Sequence, residues 1–418
     1  MATKKPGLMC SMCGTVDSAA NPVVTVLDGL NLCTDCIKFI DDTRDRQLAS
    51  RGKATKKKAN EEVSSVPTPR EIKEFLDQYI IGQEEAKKYL SVAVYNHYKR
   101  INQSASDDDV DIEKSNIILV GPTGTGKTLL AKTIARLLNV PFAIVDATVL
   151  TEAGYVGEDI ESLLTRLLQN CDYDVEKAEK GIVFIDEIDK IARKSDNPSI
   201  TRDVSGEGVQ QGLLKLLEGS TVLVPPNGGR KHPEQKMIAV DTKNILFICG
   251  GAFDGIERKI ASRLNTHVVG YGHDDSARKK QRENLMRYVM PQDLKSFGLI
   301  PEIIGRLPIL TSLEPLDKKA LRKILTEPKN AIVRQYKKLF LLDGVELEFT
   351  DDALDLIVDK AVEYKLGARG LRSIVETIMV DAMYEVPSDP VKKFTVDAQY
   401  VQKQLEKAHF EKTTISDN

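Results

Sequence analysis

The stretch NIILVGPTGTGKTLLAKTIARLL, residues 116–138, decides the fold of this chain. It begins with an apolar, β-branched run at 117–120, which is typical of a buried parallel strand. The run leads into Gly-x-x-x-x-Gly-Lys-Thr at 121–128, and apolar residues at helical spacing follow. A phosphate-binding loop needs this order, because the glycines and the helix N-terminus turn backbone N–H groups towards an anion. The pattern therefore predicts a nucleotide-phosphate site and disfavours the alternative, a plain glycine-rich turn.

Two side chains of this loop have distinct predicted roles. The Lys127 ammonium is expected to reach the β- and γ-phosphates, and the Thr128 hydroxyl is expected to hold Mg²⁺. The residues predicted to bind ATP in this stretch are Gly121, Pro122, Thr123, Gly124, Thr125, Gly126, Lys127, Thr128 and Leu129.

A second apolar run, at 182–185, ends in Asp186-Glu187. Magnesium coordination is needed at the end of a strand beside the phosphate loop, so Asp186 is predicted to be a Mg²⁺ ligand together with Thr128. Glu187 is predicted to be the general base that polarises a water for attack on the γ-phosphate. The alternative is a capped strand end with two surface acids. The pair favours hydrolysis over binding alone.

Four of the six cysteines form two Cys-x-x-Cys pairs separated by nineteen residues. Cys10, Cys13, Cys33 and Cys36 have the spacing of a four-cysteine zinc site, and an intervening hairpin would bring the pairs together. Because four thiolates fill a tetrahedral shell, the predicted Zn²⁺ is structural. Redox disulfides are the alternative. Cys171 and Cys249 lie in apolar surroundings and are predicted to be core thiols.

Composition limits the classes of function. The chain has 418 residues, a net charge of −3 and 6% aromatic residues, with a pI near 6.1. Nothing in this balance indicates a nucleic-acid binder. The first residues lack a signal-peptide core and no apolar run is long enough to span a membrane, which predicts a cytoplasmic protein with reduced thiols.

Two of these motifs and the cysteine module carry a resemblance to a known family. GPTGTGKT at 121–128 and GIVFIDEIDKI at 181–191 resemble AAA+ ATPases, and the added four-cysteine module is similar to the ClpX family, unfoldases that feed the ClpP peptidase. The resemblance runs from Cys10 to about Leu405. It implies an α/β fold, in which an AAA+ P-loop domain with a parallel sheet is joined to a small helical C-terminal domain and a small N-terminal four-cysteine zinc module.

The expected organisation follows from this resemblance and from the polar linker. We expect a zinc-binding domain at 1–46, a flexible linker at 47–69, a large AAA+ domain at 70–315 and a small C-terminal AAA+ domain at 316–418. ATP, Mg²⁺ and Zn²⁺ are the expected cofactors. The expected partners are five further copies in a homo-hexamer, a ClpP-type peptidase, substrate proteins, and adaptors bound through the zinc domain.

The resemblance also implies roles in the central pore and in peptidase docking. Tyr155 and Val156, between two glycines, match the loop whose tyrosine grips the translocating polypeptide. The cationic tip matches a loop at the pore entrance and comprises Arg230, Lys231 and His232. Val269, Gly270 and Tyr271 match the tripeptide that docks ClpP, with Tyr in place of the usual Phe, so that a hydroxyl must be solvated or hydrogen-bonded there. For Tyr155 the alternative is a side chain packed beneath its own loop. For the cationic tip the alternative is a solvent-exposed turn.

Three further residues receive nucleotide roles from the resemblance. Arg306 matches the arginine finger that reaches a neighbouring subunit's nucleotide, and Arg369 matches the sensor that contacts the γ-phosphate from the small domain. A guanidinium suits both tasks because it stays charged and binds phosphate oxygens in bidentate fashion. Ile81 is expected to contact ATP. For either arginine, a structural salt bridge is the alternative.

The function expected from the sequence is ATP-driven protein unfolding and threading into a partner peptidase, without a peptidase site in this chain. The rival is an AAA+ nucleic-acid remodelling ATPase that uses the zinc module for DNA. The acidic balance, and a pore-loop tyrosine without surrounding basic residues, disfavour it. A zinc-dependent scaffold without turnover is the non-enzymatic rival, and Glu187 disfavours that.

Overall fold

The computed structural model of the chain describes residues 8–18, 21–27, 29–38, 66–103, 110, 112–151, 158–193, 206–226, 237–266, 285–364, 366–388 and 392–408. The chain divides into two compact units, Met1–Val66 and Pro67–Asn418. Within the described residues, no helix is long and apolar enough to cross a membrane.

The first unit contains an antiparallel hairpin of β1 (Val23–Leu27) and β2 (Leu30–Cys33), followed by a helical turn at 34–38. Its small core consists of three cysteines together with Val23 and Leu32. So little apolar surface cannot hold a fold of this size alone, and metal binding commonly supplies the missing stability.

The second unit contains the remaining elements. Its strands are β3 (Ile117–Val120), β4 (Phe142–Asp146), β5 (Leu150–Thr151), β6 (Glu158–Asp159), β7 (Ile182–Asp186), β8 (Thr221–Val224), β9 (Ile238–Asp241), β10 (Leu246–Gly251), β11 (Ile309–Ser312), β12 (Glu346–Phe349) and β13 (Lys393–Val396). Its α-helices are α1 (Pro69–Asp77), α2 (Glu84–Ile101), α3 (Lys127–Leu138), α4 (Ser162–Gln169), α5 (Val175–Ala178), α6 (Glu207–Glu218), α7 (Ile256–Thr266), α8 (Pro291–Phe297), α9 (Pro301–Arg306), α10 (Lys318–Thr326), α11 (Ile332–Leu342), α12 (Asp351–Glu363), α13 (Gly367–Glu385) and α14 (Ala398–Lys407). Short 3₁₀ turns occupy Ala147–Val149, Ile188–Ile191, Thr242–Asn244, Leu285–Tyr288 and Val386–Ser388.

Five strands form a parallel sheet in the order β11-β3-β10-β7-β4. All residues of β3 and β10 are buried, because strands of a parallel sheet are covered by helices on both faces. The predicted parallel sheet is thereby confirmed. Its order places the carboxyl ends of β3, β10 and β7 side by side, and in open α/β sheets this edge binds ligands.

The C-terminal helices α10 to α14 enclose a second apolar core, beside the parallel pair β12 and β13. This region is helical, as the resemblance implied. The predicted linker boundary lies close to the start of α1, where Thr68 caps the helix and accepts a hydrogen bond from the Glu71 backbone N–H. The predicted domain boundaries remain predictions.

Candidate nucleotide site and candidate metal centre

The phosphate loop joins β3 to α3, and its shape depends on glycine. Gly124 and Gly126 have φ values of 82° and 102°, a left-handed region that side chains with a Cβ adopt at a cost. Position 121 requires glycine for a different reason, because a Cβ there would lie only 2.7 Å from the Leu313 carbonyl oxygen. The loop therefore turns tightly enough to aim the N-terminus of α3 into the site.

Lys127 is buried at the first position of α3 and is only 8% exposed. Its ammonium donates hydrogen bonds to the carbonyl oxygens of Gly121 at 2.6 Å and Pro122 at 3.1 Å. Burial lowers the pKa of Lys127, and the nearby Asp186 and Asp189 carboxylates oppose that shift. The cation is thus held directly over the loop.

Thr128 and Asp186 meet at the end of β7. The Thr128 hydroxyl donates to Asp186 Oδ2 at 3.1 Å. Adjacent oxygens in an octahedral Mg²⁺ shell are about 3 Å apart, because each Mg–O bond is about 2.1 Å. A hydroxyl and a carboxylate at this separation fit the magnesium role predicted for the two residues.

Glu187 follows Asp186 in a left-handed conformation, with φ of 56°. Its backbone N–H donates to Asp186 Oδ1 at 3.0 Å, which fixes the turn. Unusual backbone conformations of bulky residues concentrate at functional sites. The turn leaves the Glu187 side chain at the cavity wall.

A cavity of about 660 Å³ joins these groups to the small domain. The predicted residues that line it are Thr123, Gly124, Gly126, Lys127, Thr128, Leu129, Asp186, Glu187 and Arg369. Arg369 lies near the start of α13. At Gly124 a Cβ would lie 3.6 Å from the Ala368 backbone nitrogen, so the start of α13 lies close to the phosphate loop.

Other predicted residues are placed elsewhere. Ile81 lies between α1 and α2 and is absent from the cavity lining, as are Gly121, Pro122 and Thr125. Arg306, at the end of α9, is also outside this lining and about half exposed. Its Nε and Nη2 donate to Glu218 Oε1 at 3.2 and 3.0 Å. Tyr155, Val156, Arg230, Lys231, His232, Val269, Gly270 and Tyr271 lie outside the described residues.

Sequence reasoning missed several residues of the cavity. These residues are Asp189, Lys190, Ala252, Asp254, Ile324, Ile332, Ala368 and Arg372. Asp189 could have been suspected, because it shares the turn with Asp186. Its buried carboxylate accepts from the Ala252 backbone N–H at 3.2 Å and so joins the ends of β7 and β10. The apolar Ile324 and Ile332 give no such signal.

The four cysteines of the first unit form a candidate metal centre. Their sulfur atoms all lie within 4.8 Å of one another, and none is in a disulfide. Sulfur ligands in a tetrahedral zinc site are about 3.8 Å apart, since Zn–S is about 2.3 Å. The Cys13 backbone N–H lowers the pKa of Cys10 to about 6, whereas hydrogen bonding with Cys13 raises the pKa of Cys36. The donor set fits zinc.

Two known protein families match parts of the second unit. The family described as AAA domain (Cdc48 subfamily) matches residues 112–310, and the C-terminal, D2-small domain of ClpB protein matches residues 316–395.

Full-length relatives are also similar. A Bacteroides thetaiotaomicron protein named ATP-dependent Clp protease ATP-binding subunit ClpX is 64% identical over 417 residues, covering 100% of both chains. Proteins of the same name from Porphyromonas gingivalis and Bacteroides fragilis are 65% and 66% identical, covering 97% and 96% of this chain and 98% and 96% of theirs. Because these relatives are 64% to 66% identical over at least 96% of this chain, the protein belongs to the ClpX family of AAA ATPases.

Proposed function

We propose that this ATPase unfolds substrate proteins and threads them into a ClpP-type peptidase. The relatives' shared name, ATP-binding subunit of an ATP-dependent Clp protease, supports a peptidase partner. The expected place of action is the cytoplasm. In this proposal, peptide bonds are cleaved by the partner and not by this chain.

The observation that carries the proposal is the shared wall of the nucleotide cavity. Lys127 and Asp186 belong to the parallel-sheet domain, whereas Ile332 and Arg369 belong to the helical domain. A nucleotide held by both domains couples their relative position to the presence of the γ-phosphate. Loss of that phosphate would then change the angle between the domains, which is the movement that a translocating motor needs.

We assign the chemical steps to side chains of the cavity. Thr128 and Asp186 would hold Mg²⁺, and the ion would supply positive charge to offset that of the phosphates. Lys127 binds phosphate oxygens, and Glu187 takes a proton from the attacking water. Arg369 contacts the γ-phosphate, so that the position of the small domain depends on whether this phosphate is present.

Arg306 is assigned to a neighbouring subunit's site. It is half exposed and outside the cavity of its own chain, and within the described part of the chain its guanidinium pairs with the partly exposed Glu218 alone. A surface ion pair of this kind contributes little stability and is readily exchanged for phosphate. This arrangement supports a ring, which we propose to be a hexamer, because hydrolysis would require the neighbour.

The parts that handle protein are proposed from the sequence. Tyr155 and Val156 would grip the polypeptide, and Arg230, Lys231 and His232 would attract carboxylate-bearing termini at the pore entrance. Val269, Gly270 and Tyr271 would dock the peptidase. The zinc module would hold Zn²⁺ and bind adaptors.

The rate of ATP hydrolysis by the full chain tests the proposal. We expect an unstructured protein to stimulate turnover, and single- or double-stranded DNA to leave it unchanged. Stimulation by DNA alone would favour the nucleic-acid remodelling alternative. Turnover that neither polymer changes would count against both.

A further inference from the structure

A short strap, residues 78–83, connects α1 to α2 and has an unusual backbone. Gly82 and Gln83 both adopt left-handed conformations, with φ of 69° and 61°. For glutamine this conformation is uncommon. Gln83 is only 7% exposed. A buried amide in a strained position needs partners that compensate it.

The partner of Gln83 is the main chain of Glu314, 231 residues away. Gln83 Nε2 donates to the Glu314 carbonyl oxygen at 2.8 Å, and the Glu314 backbone N–H donates to Gln83 Oε1 at 2.8 Å. The side-chain amide therefore bonds this residue as a neighbouring strand would, through both main-chain groups. The Glu314 carboxylate is not used, and it pairs instead with Arg287.

Glu314 belongs to the connection between the two ATPase domains, residues 313–317. The connection leaves β11, which is part of the parallel sheet, and reaches α10, the first helix of the small domain. Its first residue lies beside the start of the phosphate loop. The Leu313 N–H donates to the carbonyl of Val120, the last residue of β3, at 2.7 Å, and the Leu313 carbonyl faces Gly121. Any rotation of the small domain must bend this connection.

The strap is also fixed at two other points. The buried Lys87 ammonium donates to the Ile80 carbonyl at 2.7 Å and pairs with Asp77 at 2.6 Å, which anchors the strap to α1 and α2. On the other side, the Lys329 N–H of the small domain donates to the Gln78 carbonyl at 2.8 Å. The strap thus contacts the large domain, the connection and the small domain within six residues.

We propose that Gln83 is a positioning residue that fixes the connection to the strap, and so holds the small domain at the angle at which its Ile332 and Arg369 both line the nucleotide cavity. Nucleotide binding and the Gln83–Glu314 hydrogen bonds then favour the same arrangement, and each strengthens the other. The inference rests on the proposed function only in that both domains hold the nucleotide.

Two substitutions separate this role from folding. Gln83→Met keeps the side-chain volume and removes both hydrogen bonds. Gln83→Gly removes the same bonds but relieves the left-handed backbone, since glycine adopts φ near 60° without strain. The matched control is Glu314→Ala, which removes the ion pair with Arg287 and leaves the main-chain bonds to Gln83 intact.

The readouts are the dissociation constant of a fluorescent ADP analogue and the hydrogen–deuterium exchange of the Glu314 amide, both on the full chain. We expect both Gln83 variants to bind ADP about tenfold more weakly. A change of this size is expected when neutral hydrogen bonds that favour the nucleotide-binding arrangement of the domains are lost. Saturating ADP should slow Glu314 amide exchange in the unaltered protein but not in the variants. Glu314→Ala should bind ADP normally.

Three results would overturn the inference. The first is normal ADP binding by both Gln83 variants. The second is a loss of ADP affinity in Glu314→Ala that equals theirs. The third is a thermal midpoint of nucleotide-free Gln83→Gly low enough for unfolding to account for its loss of ADP affinity. None of these readouts involves a protein substrate or a peptidase. Failure of the unfolding proposal and failure of this inference are therefore distinguishable.

Discussion

Lys127 illustrates how a single residue prepares a site for phosphate. An isolated buried ammonium is costly, and burial accordingly lowers the Lys127 pKa. Two loop carbonyls and the nearby carboxylates of Asp186 and Asp189 offset that cost. The ammonium therefore lies where an anion would gain most from a positive charge, within a partly desolvated cavity.

Replacing Lys127 with Met should weaken ATP binding by about ten- to a hundredfold, the range for a lost hydrogen bond to a charged group. Hydrolysis should be lost as well. Lys132→Met is the matched control, because this lysine is exposed on the same helix. Binding of a fluorescent ATP analogue measures both. Equal affinities of the two variants would remove Lys127 from the phosphate role.

Glu187→Gln should bind ATP normally while turnover falls about a hundred- to ten-thousandfold, because general-base catalysis contributes rate enhancements of that order. Asp186→Asn provides the contrast, since it should weaken Mg²⁺-dependent ATP binding itself. Phosphate release and nucleotide binding, measured on the same samples, distinguish the two. Turnover by Glu187→Gln close to that of the unaltered protein would exclude the base role.

At the scale of residues, the loop could be predicted because its function fixes both residue types and spacing. Asp186 and Glu187 could be found because they end a recognisable strand. Ile324 and Arg372 could not, since only the packing of the helical domain brings them to the cavity. The Gln83 contact with Glu314 is similarly invisible, because nothing local to either residue predicts a partner so far along the chain.

At the scale of elements, polar side chains hold α2 against the segments that precede β10 and β7. His97 Nε2 lies 3.0 Å from the Asn244 carbonyl oxygen, and the Tyr98 hydroxyl donates to the Lys180 carbonyl at 3.0 Å. Among the described residues, His97 Nδ1 has no hydrogen-bond partner. Burial, together with the Arg100 charge, lowers the pKa of His97 to about 3.

This histidine should make the fold acid-sensitive. His97 binds a proton near pH 6.5 in the unfolded chain but only near pH 3 in the folded chain. Its contribution to stability is therefore fully present above pH 6.5 and is lost progressively as the pH falls from 6.5 to about 3. Between pH 7 and 5 the loss from His97 should be about 2 kcal/mol. Urea unfolding of the nucleotide-free chain at both pH values measures it.

The control for this pH effect is His97→Gln, which keeps a donor for Asn244 and does not titrate. The loss of unfolding free energy between pH 7 and 5 should be smaller in this variant, by most of the contribution of about 2 kcal/mol expected from His97. An unchanged difference would show that His97 is not the group responsible.

The zinc module should depend on its metal. Because its core consists largely of the cysteines themselves, a zinc chelator should unfold residues 8–38 and expose four thiols to a thiol reagent. ATP binding by residues 67–418 should be unaffected. Thiol counting before and after chelation checks this. Four unreactive cysteines after complete zinc removal would indicate a fold that does not need metal.

Strands and helices could largely be predicted from sequence, because the apolar runs at β3, β7 and β10 are buried on both faces. Their order could not. No local pattern states that β10, far along the chain, lies between β3 and β7. The adjacency that brings Thr128 to Asp186 arises from crossover connections, which are set by packing over the whole sheet.

At the scale of the whole molecule, the proposed function connects the nucleotide site to movement of the domains. The cavity is shared by two domains, and the connection between them touches both the phosphate loop and Gln83. In the proposed function, Arg306 would extend the dependence to a second chain. A change at the γ-phosphate would then be transmitted to the domain angle, the ring geometry and the predicted pore loop of Tyr155.

The most direct test of this account measures unfolding and ATP turnover together for the unaltered protein and Tyr155→Ala. The substrate is a stable fluorescent domain with an unstructured tail, in the presence of a ClpP-type peptidase. We predict ATP-dependent loss of fluorescence with the unaltered protein. Tyr155→Ala should hydrolyse ATP at a similar rate but unfold the domain several-fold more slowly. Unfolding by the variant at the unaltered rate, or no ATP-dependent unfolding by either protein, would contradict the account.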